Sequence, residues 1–286
     1  VPLADSSKWT RGDYLSSLKR LRQFAACDVT VDQLTDAFVE SFMVWARQRG
    51  AAPATVNTYR ACILALWRYA YRRRLIDDQP RNVEKLRLPK RIPDAWSLQE
   101  FNRLLKVASR LRGAICGVPE AIFWPAVLLV LYDTGLRISA LMHLPLESLD
   151  METGDLFVPA ELQKHKSDQV FRLHPQTLSL VRRIEPAGRE KLIPWHDEFN
   201  ERTRSQLYNG YRSILRSAGL STGSRDLFHK LRRTSGTLLA SVAGEKAGAD
   251  HLGHSDPQVF ITHYLDPRKL NRQRATDLLP RPEWQE

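Results

Sequence analysis

Residues 226–233 read Asp-Leu-Phe-His-Lys-Leu-Arg-Arg, an order that predicts a helix opening just after Asp226. An aspartate at such a point caps free backbone N–H groups. His229 and Arg232 then lie one turn apart on one face, where both can grip a single anionic group. Arginine suits that task because its planar fork donates two parallel hydrogen bonds to phosphate oxygens. A basic helix surface also produces His-x-x-Arg by chance, so the motif gains meaning only from its neighbours.

Downstream, 252–257 read Leu-Gly-His-Ser-Asp-Pro. Ser255 or Asp256 is placed to cap, and Pro257 suits a first helical position. The helix is expected to run to about Leu265 and stop at Asp266-Pro267, with Tyr264 in its last turn and His254 in the loop before it. A tyrosine packed in the core is the ordinary alternative. Upstream, Thr134-Gly135-Leu136-Arg137 makes a glycine turn that aims Arg137 at the start of an apolar helix bearing Ile138, Leu141, Met142 and Leu144. A charge there needs a partner, and an ion pair would serve as well as a phosphate. Between these elements, 154–158 and 169–173 look like short strands. Their polar connection carries Lys164, His165 and Lys166.

Further outward the chain reads as helices. Residues 31–49 place Leu34, Phe38, Phe42, Trp45 and Ala46 at helical spacing, with Asp32 in the opening turn and Gly50 at the end. A second helix follows Pro53 and a weaker one covers 12–25. Arg60, Arg68 and the run Arg72, Arg73, Arg74 project from the helix after Pro53 as candidate DNA contacts; a solvated helix end is the alternative for the run. Residues 79–93 hold Pro80, Pro89 and Pro93 among Arg81, Lys85, Arg87, Lys90 and Arg91, which reads as a basic linker. Lys90 and Arg91 join the candidate DNA contacts. Ser97-Leu98-Gln99-Glu100 is a capping box that opens the next domain. Helices are expected at 121–132, 136–144, 175–184, 198–218 and 226–243.

The 286 residues fit two domains at roughly 150 residues each. Lys and Arg number 43 against 32 Asp and Glu, a formal net charge of +11 that points to a polyanionic partner. Of that excess, seven charges fall within residues 1–95 (17 Lys and Arg, 10 Asp and Glu). No stretch approaches the ~20 apolar residues of a membrane helix, and no basic-then-apolar signal segment opens the chain. Cys27, Cys62 and Cys116 form no CxxC pair, which argues against a disulfide framework or a zinc site and for the reducing cytoplasm.

Thr-Gly-Leu-Arg, a lysine on a strand connection, His-x-x-Arg, Leu-Gly-His and a tyrosine occur in that order. The ordered set resembles the tyrosine recombinase (phage integrase) family, and the resemblance covers essentially the whole chain. It implies a mainly α fold. A small helical bundle that clamps DNA would occupy 1–78, a linker 79–95, and a mixed α/β, mostly helical catalytic domain 96–286. It implies that Tyr264 attacks the scissile phosphate, forming a 3′-phosphotyrosine and freeing a 5′-hydroxyl. Arg137 and Arg232 would stabilise charge on the non-bridging oxygens, and His229 and His254 would assist by proton transfer and hydrogen bonding. Lys164, by its spacing from Leu173, would protonate the departing oxygen, with Lys166 as the alternative. Neither ATP, a metal nor another cofactor is implied. The implied partners are duplex DNA and further copies of the chain, a tetramer on two sites and a monomer off DNA, with 268–279 docking on a neighbour.

Two positions depart from the family pattern. Ala140 stands where an acidic residue often follows the first arginine, and the step from His254 to Tyr264 is one residue longer than usual. The chemistry is sound without the family. A phenol needs a base or cationic neighbours to become a useful nucleophile, and a phosphodiester gathering negative charge needs fixed positive donors. A type IB topoisomerase, which relaxes DNA as a monomer, is the nearest rival. A DNA-binding regulator that keeps the fold without catalysis is the second, and the presence of all six candidate residues argues against it.

Overall fold

The computed structural model describes residues 8–184, 189–196 and 199–270, and its contacts divide the chain after Arg91 into two units. The first is built from α1 (Lys8–Ala25), α2 (Asp36–Gln48) and α3 (Pro53–Arg72). The single helix expected from residue 31 is two pieces. Val31–Gln33 makes one 3-10 turn, and the helix restarts because the Thr35 hydroxyl accepts from the Phe38 N–H at 3.1 Å. Asp32 therefore belongs to the separate turn. Leu21, Val39, Phe42, Ile63, Leu64 and Trp67 close the core between the three helices.

Much of the proline-punctuated stretch packs on this unit. Its extended backbone has no ladder to pair with, so side chains satisfy it. The Asp36 carboxylate accepts from the N–H groups of Arg81 (3.2 Å) and Asn82 (2.9 Å). The Asn57 amide bonds Leu86 in both directions at 2.9 Å, and Val83 is buried in the core.

The second unit opens at α4 (Leu98–Ala108). Its capping box is formed: Ser97 N–H donates to the Glu100 carboxylate at 2.7 Å, and Glu100 N–H to the Ser97 hydroxyl at 3.2 Å. Two strands of two residues each, β1 (Ala114–Ile115) and β2 (Val118–Pro119), form a hairpin too short to leave a periodic signal in the sequence. Then comes α5 (Glu120–Thr134), an apolar rod buried nearly all round, followed by α6 (Ile138–His143). The expected strand pair is β3 (Asp155–Val158) and β4 (Gln169–Arg172), antiparallel with Asp155 opposite Arg172 and Val158 opposite Gln169. Helices α7 (Pro175–Arg182), α8 (Glu201–Ser217) and α9 (Phe228–Ala243) follow, and α4, α7 and α9 pack against α5. Two short helices, α10 (Glu245–His251) and α11 (Pro257–His263), follow, and a 3-10 turn at Pro267–Lys269 comes after them.

Three elements differ from what the local sequence predicts. Leu227, not Asp226, is the N-cap of α9; the Asp226 carboxylate instead accepts from the Ser221 hydroxyl at 2.6 Å and Lys230 at 3.3 Å. Helix α10 was not anticipated, because 244–251 carry two glycines and little apolar periodicity. Helix α11 ends at His263, so Tyr264 is its C-cap rather than part of its last turn. Close packing of α9, α10 and α11 depends on glycine. A Cβ on Gly236 would lie 2.8 Å from both Leu252 and Phe260, and one on Gly248 2.7 Å from Phe260. No described helix is long and apolar enough to cross a membrane.

Candidate active site

The site grows from the turn that closes α5. Gly135 takes φ +61°, and its N–H donates to Leu131 O at 2.9 Å. A side chain there would be strained and would also strike Leu252 at 2.4 Å. The turn delivers Arg137 as the N-cap residue of α6. One turn into α9, His229 and Arg232 share a face. Arg232 is only 3% exposed, and its guanidinium donates to Gly135 O and, at 2.5 Å, to Leu252 O. A single side chain thus ties the turn carrying Arg137 to the loop carrying His254. Beneath them the Ser235 hydroxyl donates to Tyr132 O at 2.6 Å and lies 2.9 Å from His251 Nε2. His251 itself underlies Gly135.

Helix α11 brings the phenol in. Asp256 caps it, accepting from Gln258 N–H at 2.8 Å, and Phe260 is fully buried one turn before Tyr264. The Tyr264 ring, 7% exposed, lies 4.6 Å from the His254 ring, 5.2 Å from the His229 ring and 5.4 Å from the Arg232 guanidinium carbon.

The electrostatics are lopsided. Among the described residues no carboxylate forms an ion pair with Arg137 or Arg232. Burial first, and the charge of Arg137 second, pull Arg232 down to about 10, which leaves it cationic at neutral pH. Two unneutralised guanidinium groups in one partly dry site form a receptor for an anion. His229 keeps an open edge to solvent, yet burial of its inner side, then the charges of Arg233, Arg232 and Arg137, lower it to about 4. Burial followed by Arg232 and Arg137 does the same to His254, and burial followed by Arg232 to His251. All three imidazoles are neutral at pH 7, and the Nε2 of His254 is buried without a protein partner.

This arrangement has a pH signature. The unfolded chain binds protons on these histidines below pH 6.5, whereas the folded chain resists until about pH 4. Stability is therefore expected to fall as pH drops through that window, ahead of the carboxylate region. Thermal melts from pH 7.5 downward check this, and a melting temperature flat between pH 6.5 and 4.5 would count against neutral imidazoles at these positions.

Residues 98–270 match the phage integrase family and residues 3–86 its SAM-like domain. The chain belongs to the phage integrase family of tyrosine recombinases. It is 24% identical to the tyrosine recombinase XerD of Oceanobacillus iheyensis over 84% of this chain and 81% of that protein. With XerD of Vibrio cholerae the identity is 23%, over 90% of this chain and 77% of that protein. In fold it resembles a lambda integrase fragment crystallised as a dimer on a core site (TM-score 0.71, 18% identity, 95% of this chain and 93% of that chain). It also resembles the Tn1549 transposon integrase in complex with a circular intermediate DNA (TM-score 0.67, 14% identity, 91% and 90%).

The recombinase brings Arg137, His229, Arg232, His254 and Tyr264 together. It does not bring in Lys164 or Lys166, which are exposed on the β3–β4 connection, with Lys166 at φ +54°. The residue between them turns inward instead. The His165 ring rests on Gly253, where a Cβ would lie 2.3 Å from Nε2, and its Nδ1 lies 2.6 Å from the Ser167 hydroxyl. Burial, then Arg137 and Arg232, lower its pKa. Sequence reasoning assigned His165 no role; its only signal was alternation between two solvent-facing lysines. Ala140 is buried, and among the described residues no carboxylate ion-pairs with Arg137 in place of the family's acidic residue.

Gly253→Ala is consequently expected to destabilise the recombinase by about 1–2 kcal/mol from its φ of +68° alone, with a further loss from the His165 ring. Adding His165→Ala should recover part of that loss, measured by denaturant unfolding, because the contact is shared. Strict additivity of the two substitutions would refute the contact.

Of the candidate DNA contacts, Arg60 is half-buried and donates to Val83 O at 2.9 Å through Nε, so it also anchors the packed strap. Arg68, Arg72, Arg73, Arg74, Lys90 and Arg91 are exposed. Arg73 stacks on Tyr69 and donates to its hydroxyl at 3.3 Å. The segment expected to dock on a neighbour lies, from residue 271 on, outside the described residues.

Proposed function

We propose that this recombinase cuts and rejoins duplex DNA at specific sites through a covalent 3′-phosphotyrosine on Tyr264. The observation that carries the reading is the convergence of the Tyr264 ring with His229, His254 and Arg232, beside guanidinium groups that no carboxylate among the described residues neutralises. The Tyr264 oxygen attacks the phosphorus, the bond to the 5′-oxygen breaks, and the phenol proton passes to a neutral imidazole, His229 or His254. Arg137 and Arg232 hold the non-bridging oxygens, where charge accumulates. The phosphate, by its negative charge, raises both histidines from about 4 toward a range useful for proton transfer. Lys164 delivers a proton to the departing 5′-oxygen once its hairpin closes on the DNA, with Lys166 as the alternative donor. Reversal by a 5′-hydroxyl of another strand rejoins the backbone, and the phosphotyrosine conserves the bond energy meanwhile.

Residues 1–78 would grip the duplex, with Arg60, Arg68, Arg72, Arg73, Arg74, Lys90 and Arg91 on phosphates, the 79–95 segment as linker, and 96–286 as the catalytic domain. A homotetramer on two sites in the cytoplasm is the working assembly; lambda integrase has been crystallised as a tetramer on a Holliday junction. The test is an end-labelled duplex nicked near the target phosphate. Protein should remain on the 3′ end through denaturation, and the released fragment should accept phosphate from a kinase at its 5′-hydroxyl. A 5′-phosphate product, or cleavage without attached protein, would overturn the proposal.

A further inference from the structure

Tyr264 lies beyond the helix that delivers it, at φ −125° and ψ −35°. Only its N–H, donating to Phe260 O at 2.8 Å, belongs to the helical pattern, so the backbone that follows must fix the rest. That backbone is held closely. The Thr237 hydroxyl of α9 donates to Tyr264 O and accepts from Asp266 N–H, both at 3.1 Å. Asp266 is completely buried. Its carboxylate accepts from Ala95 N–H at 3.1 Å, from Arg268 N–H at 3.1 Å, and from Arg268 Nε and Nη2 at 2.8 and 2.9 Å.

A second carboxylate completes the arrangement. Asp94 accepts from Arg268 Nη2 at 2.9 Å and from Lys230, the α9 residue next to His229. Trp96 N–H donates to the Thr234 hydroxyl of the same helix at 2.9 Å. The stretch 94–96, helix α9 and the chain after Tyr264 are thereby joined through one arginine and two carboxylates. Burial alone would push Asp266 up, but Arg268 and the backbone donors hold it below the usual carboxylate range, so it is ionised at neutral pH. None of Asp94, Thr237, Asp266 and Arg268 is among the groups assigned above to the phosphate.

We propose that Asp266 is a positioning residue for the nucleophile, acting with Arg268 and Asp94 as a brace that fixes the peptide after Tyr264 against the helix bearing His229 and Arg232. The inference rests on Tyr264 being the nucleophile. An asparagine at 266 would keep one acceptor and turn an NH2 group toward Arg268, which has only donors to offer. The brace would loosen while the side-chain volume stayed nearly constant. In-line attack tolerates little displacement, since an error near 1 Å can reduce a rate about a hundredfold.

The test compares wild type, Asp266→Asn and Arg268→Gln on a nicked duplex, with the rate of covalent-complex formation followed across DNA concentration. At saturating DNA both variants should be slower by about tenfold or more, while the half-saturating concentration stays within about twofold, because the brace acts on orientation and not on binding. The double variant should be no slower than Asp266→Asn, as expected for residues acting through one contact. A saturated rate equal to wild type, or a half-saturating concentration that rises as much as the rate falls, overturns the brace. Should Asp266→Asn fail to fold, Arg268→Gln decides alone, since that side chain is 56% exposed and its loss leaves the buried carboxylate in place. Absence of covalent complex from the wild type would instead overturn the nucleophile reading, and the brace with it.

Discussion

Tyr264→Phe should abolish covalent attachment to DNA while changing affinity for the same duplex by no more than about threefold, a difference of under ~1 kcal/mol. The substitution removes one oxygen. The ring keeps its contacts with His229, His254 and Arg232, and its neighbours Phe260 and Leu265 keep theirs, so the fold has little reason to change. The two arginines and the basic surface of the first unit, proposed to hold the phosphates, are untouched by the substitution. Binding and chemistry therefore separate at this position, which a structural tyrosine would not allow. Gel-shift affinity alongside denaturing-gel adduct formation reads both; residual adduct in the variant would mean that another nucleophile serves.

Arg232→Lys should reduce the rate of adduct formation by about a hundredfold to a thousandfold, the range for losing one fixed donor to a developing oxyanion. The charge survives but the geometry does not. Arg232 bonds Gly135 O and Leu252 O with separate nitrogens and still presents its charge beside Tyr264. A lysine has one nitrogen on a flexible stem and cannot bridge both turns. At least one buried carbonyl would lose its partner, at about 1–3 kcal/mol, so the melting temperature should fall together with the rate. The turn carrying Arg137 and the loop carrying His254 would also lose their common tie. Retained activity would show that Arg232 is a structural strut only.

Much of this was legible in the residues, for identifiable reasons. Gly135 and Asp256-Pro257 are local signals, because a positive φ and a helix cap depend on few neighbours. The apolar face of α3 and the run of α5 announce themselves by periodicity and length. What stayed hidden depends on long-range contacts. Asp226 sits where a cap belongs, yet Ser221 and Lys230 claim its carboxylate and the helix starts later. Asp266-Pro267 reads as a stop signal, and nothing local says that Asp266 accepts from Ala95, 171 residues away. His165 was overshadowed by two lysines that carry the more familiar charge, and its docking on Gly253 joins segments almost ninety positions apart. The basic segment after α3 looks like a free connection until Asp36 and Asn57 are seen to satisfy its backbone.

The most direct measurement is to trap the protein on a nicked duplex, digest the adduct and locate the attached nucleotide by mass spectrometry. The expected product is a nucleotide joined through its 3′-phosphate to the peptide containing Tyr264, and to no other residue. Strand cleavage with the nucleotide on a different side chain, or with none attached, would contradict it.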